Sequence, residues 1–371
     1  MTTIRALTAA DLPAVCSLFE QVARSGGPEP PDALVKYFEL TFMANPWADD
    51  DMPSLVQEDR DGNLVGFIGS QVRRIRVDGR AARVVFSGPL VAAPGSPGTG
   101  ALLTRRLLAG PQEVTLSDGA TDYMRRIWEG LGGYTAVAPS VTWAKIFRPA
   151  GFARYVAERG GRSGLGRTLR VLGPGLDTVG RGLMRRIPRM IPRRPDVTVE
   201  PLTADGLAAQ LRSAGRRLRL YPDYDEAYLE WLFDILHVVR GTPYRHLVLD
   251  RAGTPLGWYV YYLADSGLAH VLQVAATRSG RVADVLDHML WHADAQGARA
   301  ALGRLESATF GELAPRRCLL VQTGLYSLIH TENSAIAGLL ASPRAMMSTL
   351  DSGVWMGHNT LFSDQRRHPS P

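Results

Sequence analysis

The stretch LVAAPGSPGTGALL, residues 90–103, joins two different residue patterns. An apolar run typical of a strand ends at Ala92, and apolar residues at helical spacing begin at Ala101. The residues between them are small or are prolines. Small residues let backbone N–H groups converge, and a helix N-terminus carries positive partial charge, so this order predicts a phosphate or pyrophosphate site. A tight strand–helix connection without a ligand is an equally good interpretation.

Several segments of the first half of the chain return in the second half. Residues 3–12, TIRALTAADL, are matched by residues 198–207, TVEPLTADGL. Residues 54–67, SLVQEDRDGNLVGF, are matched by residues 246–258, HLVLDRAGTPLGW. The matched segments are almost two hundred residues apart, whereas solenoid repeats are only tens of residues long. The repeat therefore indicates two copies of one domain. A chain of 371 residues is long enough for two domains, each with its own core.

Composition favours a folded protein without a metal or a disulfide. Cys16 and Cys318, one in each copy, lie in apolar patterns and are expected to be buried thiols. His288 and His292 are four residues apart but lack a third ligand, so no metal site is predicted. The chain shows neither a signal peptide nor a long apolar segment. These features predict a cytoplasmic location.

The positive charge is concentrated between the two copies. Residues 159–194 hold ten arginines against one acid, Asp177, a net charge of +9 in a chain whose total is +6. Apolar residues in this segment recur at helical spacing, at Leu165, Leu169, Leu172, Leu176, Val179, Leu183 and Ile187. Gly173-Pro174-Gly175 is expected to break the segment into two short helices.

Two interpretations of this Arg-rich segment are open. It is either a peripheral contact with an anionic membrane surface, which would be the inner membrane, or a helical hairpin whose apolar face packs on the core. Nucleic acid is not predicted as a partner, because residues 156–197 contain no aromatic residue to stack on bases.

The order of elements over residues 3–147 resembles the GNAT (Gcn5-related N-acetyltransferase) family, in the acyl-CoA N-acyltransferase superfamily. In that family the last strand of a meander leads into a [Q/R]-x-x-G-x-[G/A] turn. Residues 90–94 match the strand end and residues 98–103, GTGALL, match the turn, although Gly95 replaces the usual Gln or Arg. Residues 121–133, TDYMRRIWEGLGG, are similar to the family signature N-x-x-A-x-x-L-Y-E-K-x-G-F. Residues 198–306 repeat the same order of elements but keep fewer of these motif residues.

The resemblance implies an α/β (α+β) fold of two tandem acyl-CoA N-acyltransferase-like domains, each a mixed, mostly antiparallel sheet flanked by helices. The expected division is a first domain at 1–150, the Arg-rich connector at 151–196, a degenerate second domain at 197–362, and a disordered tail at 363–371. It also implies acetyl-CoA or another acyl-CoA as cofactor, bound by the first domain. The matching residues are Leu90, Val91, Ala92, Gly95, Ser96, Gly98, Thr99, Gly100 and Ala101.

Acyl transfer needs a donor to the developing oxyanion, a base for the amine and an acid for the thiolate. The resemblance assigns the first role to backbone N–H groups at Leu90–Ala92. The usual tyrosine acid is replaced by Trp128, which leaves Tyr123 and Tyr134 as candidates, or as ordinary packing residues. Asp118 is the best remaining carboxylate, with capping of helix 121–131 as its alternative role.

The leading hypothesis is therefore transfer of an acetyl or other acyl group from coenzyme A to a small-molecule or lipid-linked amine. The second copy would shape the acceptor cleft, which Arg304 and Glu306 could face unless they form a structural salt bridge. Two alternatives are a non-catalytic acyl-CoA sensor or scaffold and a Fem-like aminoacyl transferase acting on a cell-envelope precursor. The family often forms dimers, so the resemblance also allows a homodimer.

Overall fold

A computed structural model describes residues 2–23, 29–159, 163–277 and 281–352. The predicted disordered tail at 363–371 and Gly280 of the second glycine turn lie outside these ranges. Within them, no helix is both long enough and apolar enough to cross a bilayer.

The first part of the chain alternates strands and helices as the sequence predicts. Its strands are β1 (Thr3–Ala6), β2 (Leu55–Glu58), β3 (Leu64–Val77), β4 (Arg80–Ala92), β5 (Val114–Ala120), β6 (Tyr134–Ala136) and β7 (Val141–Ile146). Its helices are α1 (Leu12–Ala23), α2 (Asp32–Phe38), α3 (Thr99–Leu108) and α4 (Asp122–Gly130). Two further helices, α5 (Pro149–Arg159) and α6 (Ser163–Met184), form the connector.

The second part repeats this alternation. Its strands are β8 (Thr198–Pro201), β9 (Leu220–Pro222), β10 (Tyr244–Leu249), β11 (Pro255–Leu263), β12 (Leu268–Ala276), β13 (Ala300–Arg304), β14 (Leu319–Gln322) and β15 (Tyr326–His330). Its helices are α7 (Ala204–Ala214), α8 (Glu226–Arg240), α9 (Val282–Ala295), α10 (Ser307–Leu313) and α11 (Ser334–Leu340).

These strands form two sheets of the same design, and the predicted fold class is confirmed. The first sheet has the order β1-β2-β3-β4-β5-β15-β6, with β9 added along β3. The second has the order β8-β10-β11-β12-β13-β7-β14. In each sheet one central pair is parallel, β4 with β5 and β12 with β13, and the other pairs are antiparallel.

The two sheets exchange one strand each. The sequence predicts a single strand over 135–147, but this segment forms β6 and β7, and β7 pairs with β13 of the second sheet. In return, β15 pairs with β5 and β6 of the first sheet. Residues 1–150 therefore do not contain the whole of the first sheet, and the predicted domain boundaries at 150 and 197 remain a prediction.

One apolar core joins the two parts of the chain. Trp47, from the first part, stacks on Tyr228 of α8 with ring centroids 3.6 Å apart. The indole N–H of Trp47 also donates to Asp225, the N-cap of α8, at 2.9 Å. Buried side chains of α1, α7 and α8 belong to the same cluster, so the sheets are held together by packing as well as by exchanged strands.

The repeated glycines have a packing role. A Cβ on Gly66 in β3 would lie 2.4 Å from a methyl carbon of Thr99 in α3. A Cβ on Gly257 in β11 would likewise lie 2.8 Å from a methyl carbon of Val285 in α9. Only glycine permits either approach, so the repeat in sequence keeps the same close packing in both sheets.

The connector differs from its prediction. The expected break at Gly173-Pro174-Gly175 is wrong, because α6 runs without interruption from Ser163 to Met184. One proline removes a single backbone hydrogen bond, a loss that this helix accommodates without ending. Gly173 lies against α5, where its missing Cβ would meet the Cβ of Ala150 at 3.9 Å.

Candidate functional site

A bulge opens the first sheet between β4 and β5. Ile68 of β3 pairs with Leu90 and Ser70 pairs with Ser87, so Gly88 and Pro89 of β4 stand opposite Gly69 alone. The parallel pairing of β4 with β5 stops at Phe86 and Leu116. An extra residue bends the bulged strand, and the two strands diverge beyond this point. The β5-facing edge of β4 therefore has no paired strand at Leu90–Ala92.

The glycine-rich turn follows directly on this opening. Gly95 and Gly98 both have φ of +82°, and Gly98 is the N-cap of α3. No described backbone carbonyl accepts a hydrogen bond from the N–H of either glycine. A Cβ on either would meet nothing within 4 Å, and the first turn of α3 contains no acidic residue.

The predicted cofactor residues thus lie along one continuous edge. Leu90, Val91 and Ala92 end β4, Gly95, Ser96 and Gly98 form the turn, and Thr99, Gly100 and Ala101 begin α3. The open amides and the positive end of α3 suit an anion. Thr99 is buried against Gly66, so it anchors the helix more than it faces solvent.

The second sheet has the same opening but a different helix start. Pairing of β11 with β12 shifts at Leu272, and β12 leaves β13 after Val271 and Gly303. Arg281 is the N-cap of α9, and its guanidinium donates to Asp284 at 2.7 Å. Asp284 thus places a carboxylate in the first turn of α9 and occupies the guanidinium that could otherwise pair with an anion there.

Asp118 lies at the opening of the first sheet in a complete set of hydrogen bonds. Its Oδ1 accepts from Arg304 at 2.9 Å and from the Ser327 hydroxyl at 3.0 Å, and its Oδ2 accepts from the Ser352 hydroxyl at 2.7 Å. Burial raises the pKa of Asp118, but the charge and hydrogen bond of Arg304, with the Ser352 hydroxyl and the charge of Arg73, outweigh it, so the pKa is lowered. The alternative capping role is wrong, because Thr121 is the N-cap of α4.

The two predicted tyrosines lie in different environments. Tyr123 is on α4 and is 69% exposed. Tyr134 is on β6, opposite Ile329 of β15, and burial raises its pKa. Its hydroxyl is buried without a hydrogen-bond partner among the described residues. Trp128, which replaces the family's usual tyrosine, packs in a small core with Leu328. No hydrogen bond within the described chain joins either tyrosine to Asp118.

A small cavity occupies the opening of the second sheet. It is lined by Trp143 of the exchanged strand β7, by Gln273 of β12, and by Arg304, Glu306 and Thr309. Within the described ranges, Glu306 has neither an ion pair nor a side-chain hydrogen bond, since Arg304 pairs with Asp118 instead. Burial raises the pKa of Glu306 to about 8, although Arg304 opposes the shift. Of the two interpretations of this pair, the Arg304–Glu306 salt bridge is therefore wrong.

The last described segment, residues 345–352, bridges both openings. The Thr349 hydroxyl donates to the carbonyl oxygen of Leu272 at the bulge of β12. At the first sheet, the Ser352 hydroxyl donates to Asp118, and Oδ2 of Asp351 lies 3.3 Å from Nε of Arg73. No sequence motif marks these contacts, which depend on residues far apart in the chain.

Histidines also gather on the second sheet. His246 of β10 lies next to His292 of α9, with ring centroids 4.9 Å apart, and His292 shares a 2.7 Å hydrogen bond with Tyr261. Within the described part of the chain, no group of three His, Cys, Asp or Glu residues has the geometry of a metal site.

Comparison with known proteins identifies the fold. No protein-family model and no curated protein matches the sequence. A probable N-acyltransferase of unknown function from Enterococcus faecalis has a similar structure, with 10% identity and a TM-score of 0.56, over 89% of this chain and 73% of that one. A GCN5-related N-acetyltransferase from Kribbella flavida has 16% identity and a TM-score of 0.55, over 90% and 72%.

A third similar structure is Saccharomyces cerevisiae N-myristoyltransferase with bound myristoyl-CoA, with 11% identity and a TM-score of 0.51, over 88% of this chain and 82% of that one. Identities this low show the fold alone. The chain therefore has a GNAT-like fold, shared with GCN5-related N-acetyltransferases and N-myristoyltransferase.

Proposed function

We propose that this protein transfers an acyl group from acyl-CoA to an amine, with the cofactor bound by the first sheet. The observation that carries the proposal is the open turn at Gly95 and Gly98, placed between the divergent end of β4 and the N-terminus of α3. An anionic pyrophosphate suits its unpaired amides. The similar N-myristoyltransferase, which binds myristoyl-CoA, supports this class of cofactor.

The asymmetry between the sheets supports one cofactor site. The first turn of α3 contains no acid, whereas Asp284 lies in the first turn of α9 and engages Arg281. A carboxylate at a helix start repels the phosphate that the helix dipole would attract. Among the described residues, the start of α9 therefore offers a weaker anion site than the start of α3, which fits a second copy that shapes the acceptor cleft.

The residues at the openings suggest how the reaction proceeds. Backbone amides of Leu90 and Ala92, which face the unpaired edge of β4 while that of Val91 faces β3, would donate to the thioester oxygen as it becomes negative. The amine nitrogen forms the C–N bond while the C–S bond breaks, and coenzyme A leaves as the thiol after taking a proton. Tyr134, whose buried hydroxyl has no partner within the described ranges, is the candidate donor of that proton.

Glu306 is the candidate acceptor of the amine proton. Its carboxyl lines the second opening without an ion pair in the described structure, and its pKa of about 8 is close to the range in which a general base works well. Arg304 lines the same cavity and bonds to Asp118 at the first opening. Asp118 is thus a positioning residue, because it holds Arg304 where the two openings meet.

A second candidate function is binding of acyl-CoA without turnover. Trp128 is buried where the family has its tyrosine acid, and both carboxylate oxygens of Asp118 already accept hydrogen bonds, from Arg304, Ser327 and Ser352. Both observations fit a sensor or scaffold.

Acetyl-CoA binding by calorimetry, followed by thiol release across a panel of amines, separates the two functions. Binding with thiol release supports the transferase, and binding without release for any amine supports the sensor. Absence of binding excludes both.

A further inference from the structure

Where the side chains of the connector helix α6 are described, at residues 172, 173 and 175–184, polar side chains face the protein beside the buried Met184, and the other large apolar side chains face outward. Its inward face carries Asp177, which accepts from the backbone N–H of Ala150 at 2.8 Å and of Gly151 at 3.1 Å. Arg181 on the same face donates twice to the buried Asp294, at 2.7 and 3.0 Å. Polar contacts therefore attach this helix to the protein.

The outward face of α6 is apolar. Its large side chains, together with one just after the helix, are 45–66% exposed: Leu172, Leu176, Val179, Leu183 and Ile187. At 100° per residue, the four within the helix fall inside a stripe about 60° wide and about 17 Å long. The interpretation that the apolar face packs on the core is therefore wrong for residues 172–187, whereas the side chains of Leu165 and Leu169 lie outside the described part of the chain.

Unpaired positive charge adjoins this apolar stripe. Arg185, Arg186, Arg189 and Arg193 are exposed and follow the helix directly. No carboxylate within the described ranges lies within ion-pair distance of any of the four. Contiguous exposed apolar side chains mark an interaction surface, and the adjoining arginines require that the partner be anionic.

We propose that the α6 stripe and its arginines form a docking surface for an anionic phospholipid membrane, with the helix lying in the interface. Shallow insertion of leucine and valine side chains beside arginines that contact headgroups is the pattern of an interfacial amphipathic helix. A second copy of the chain fits less well, because a symmetric contact would bring two arginine clusters together. This inference does not depend on the proposed acyl transfer.

Vesicle flotation with the full chain tests this proposal. We expect binding to vesicles of phosphatidylcholine and phosphatidylglycerol at low salt, weaker binding at high salt, and none to phosphatidylcholine alone. The double variant Leu176→Asp, Leu183→Asp should reduce binding by at least about tenfold, because two charges would enter the apolar region. Arg185→Gln with Arg186→Gln should weaken it by about tenfold.

The matched control is Val238→Asp with Phe310→Asp, two exposed apolar side chains on α8 and α10. This variant should bind as the wild type does. Circular dichroism and thermal unfolding confirm that each variant is folded.

Three results would overturn the proposal. The first is no wild-type binding to anionic vesicles at low salt. The second is binding by the Leu176→Asp, Leu183→Asp variant that equals wild-type binding, which would show that charge alone, without the apolar stripe, holds the protein on the vesicles. The third is that the wild type forms a concentration-dependent dimer and does not bind vesicles, and that the Leu176→Asp, Leu183→Asp variant does not form the dimer. That result would show that the stripe contacts a second copy of the chain.

Discussion

Arg304, at the end of β13 in the second sheet, donates to Asp118 in β5 of the first sheet at 2.9 Å. The two residues lie on corresponding strands of the two sheets, and both side chains are almost fully buried. Ser327 of the exchanged strand β15 completes the contact. The pair therefore fixes the two openings relative to each other.

Asp118→Asn should destabilise the protein by about 3–5 kcal/mol, because it removes the carboxylate that forms an ion pair with the buried Arg304. Urea unfolding measures this change. The matched control is Asp122→Asn, four residues along, where an exposed carboxylate pairs with Arg125 and little change is expected. An Asp118→Asn variant as stable as the control would show that the pair does not join the sheets.

The pH dependence of stability follows from the lowered pKa of Asp118. A carboxyl with a depressed pKa in the folded state contributes stability above its unfolded pKa, and loses it as the pH falls through the folded value. The wild type should therefore lose stability in acid more steeply than Asp118→Asn. Parallel acid unfolding curves would contradict this assignment.

Glu306→Gln should abolish most of the acyl transfer while leaving acyl-CoA binding intact. In the wild type, kcat should rise as the pH rises through about 8, since only the ionised carboxylate accepts a proton. The variant should lose this rise and about two or more orders of magnitude in kcat. A variant with the wild-type pH profile would remove Glu306 from the mechanism.

The same substitution makes a prediction about stability that does not depend on activity. A carboxyl whose folded pKa is raised contributes stability below its unfolded pKa and loses it as the pH rises through about 8. Glu306→Gln should therefore raise Tm relative to the wild type more at pH 9 than at pH 5. A Tm difference that does not vary with pH would show that Glu306 is not held in its neutral form.

Tyr134→Phe should lower kcat without changing the affinity for acyl-CoA, if its hydroxyl supplies the proton to the leaving thiolate. Tyr123→Phe is the matched control on the exposed face of α4 and should retain full activity. Equal activity of both variants would leave Tyr134 as a packing residue on β6.

Local patterns predict most elements of the fold. Alternating and apolar runs give β2 to β5, and the glycine-rich turn before α3 is where the sequence places it. The exchange of β7 and β15 is not predictable in this way. The two sheets have the same strand order, so each of these strands could take the corresponding place in either sheet, and a local residue pattern does not distinguish the two.

The candidate site, like the fold, is only partly predictable from local sequence patterns. Gly95 and Gly98 are identified from sequence because their conformation is a local property. The partners of Asp118 are Arg304, Ser327 and Ser352, which lie far along the chain, so its capping role is a local expectation that long-range contacts override. Glu306 gains its raised pKa from a cavity that β7 helps to form.

The central claim is that the first sheet binds acyl-CoA at the turn containing Gly98. Calorimetric titration of acetyl-CoA into the wild type, Gly98→Asp and Gly98→Asn tests it most directly. Asp and Asn have the same shape and both tolerate a positive φ, so their difference isolates charge. We expect the wild type to bind, Gly98→Asp to bind at least about tenfold more weakly than Gly98→Asn, and Arg281→Glu at α9 to bind normally. Equal binding by the two Gly98 variants, or loss of binding only in Arg281→Glu, would contradict the account.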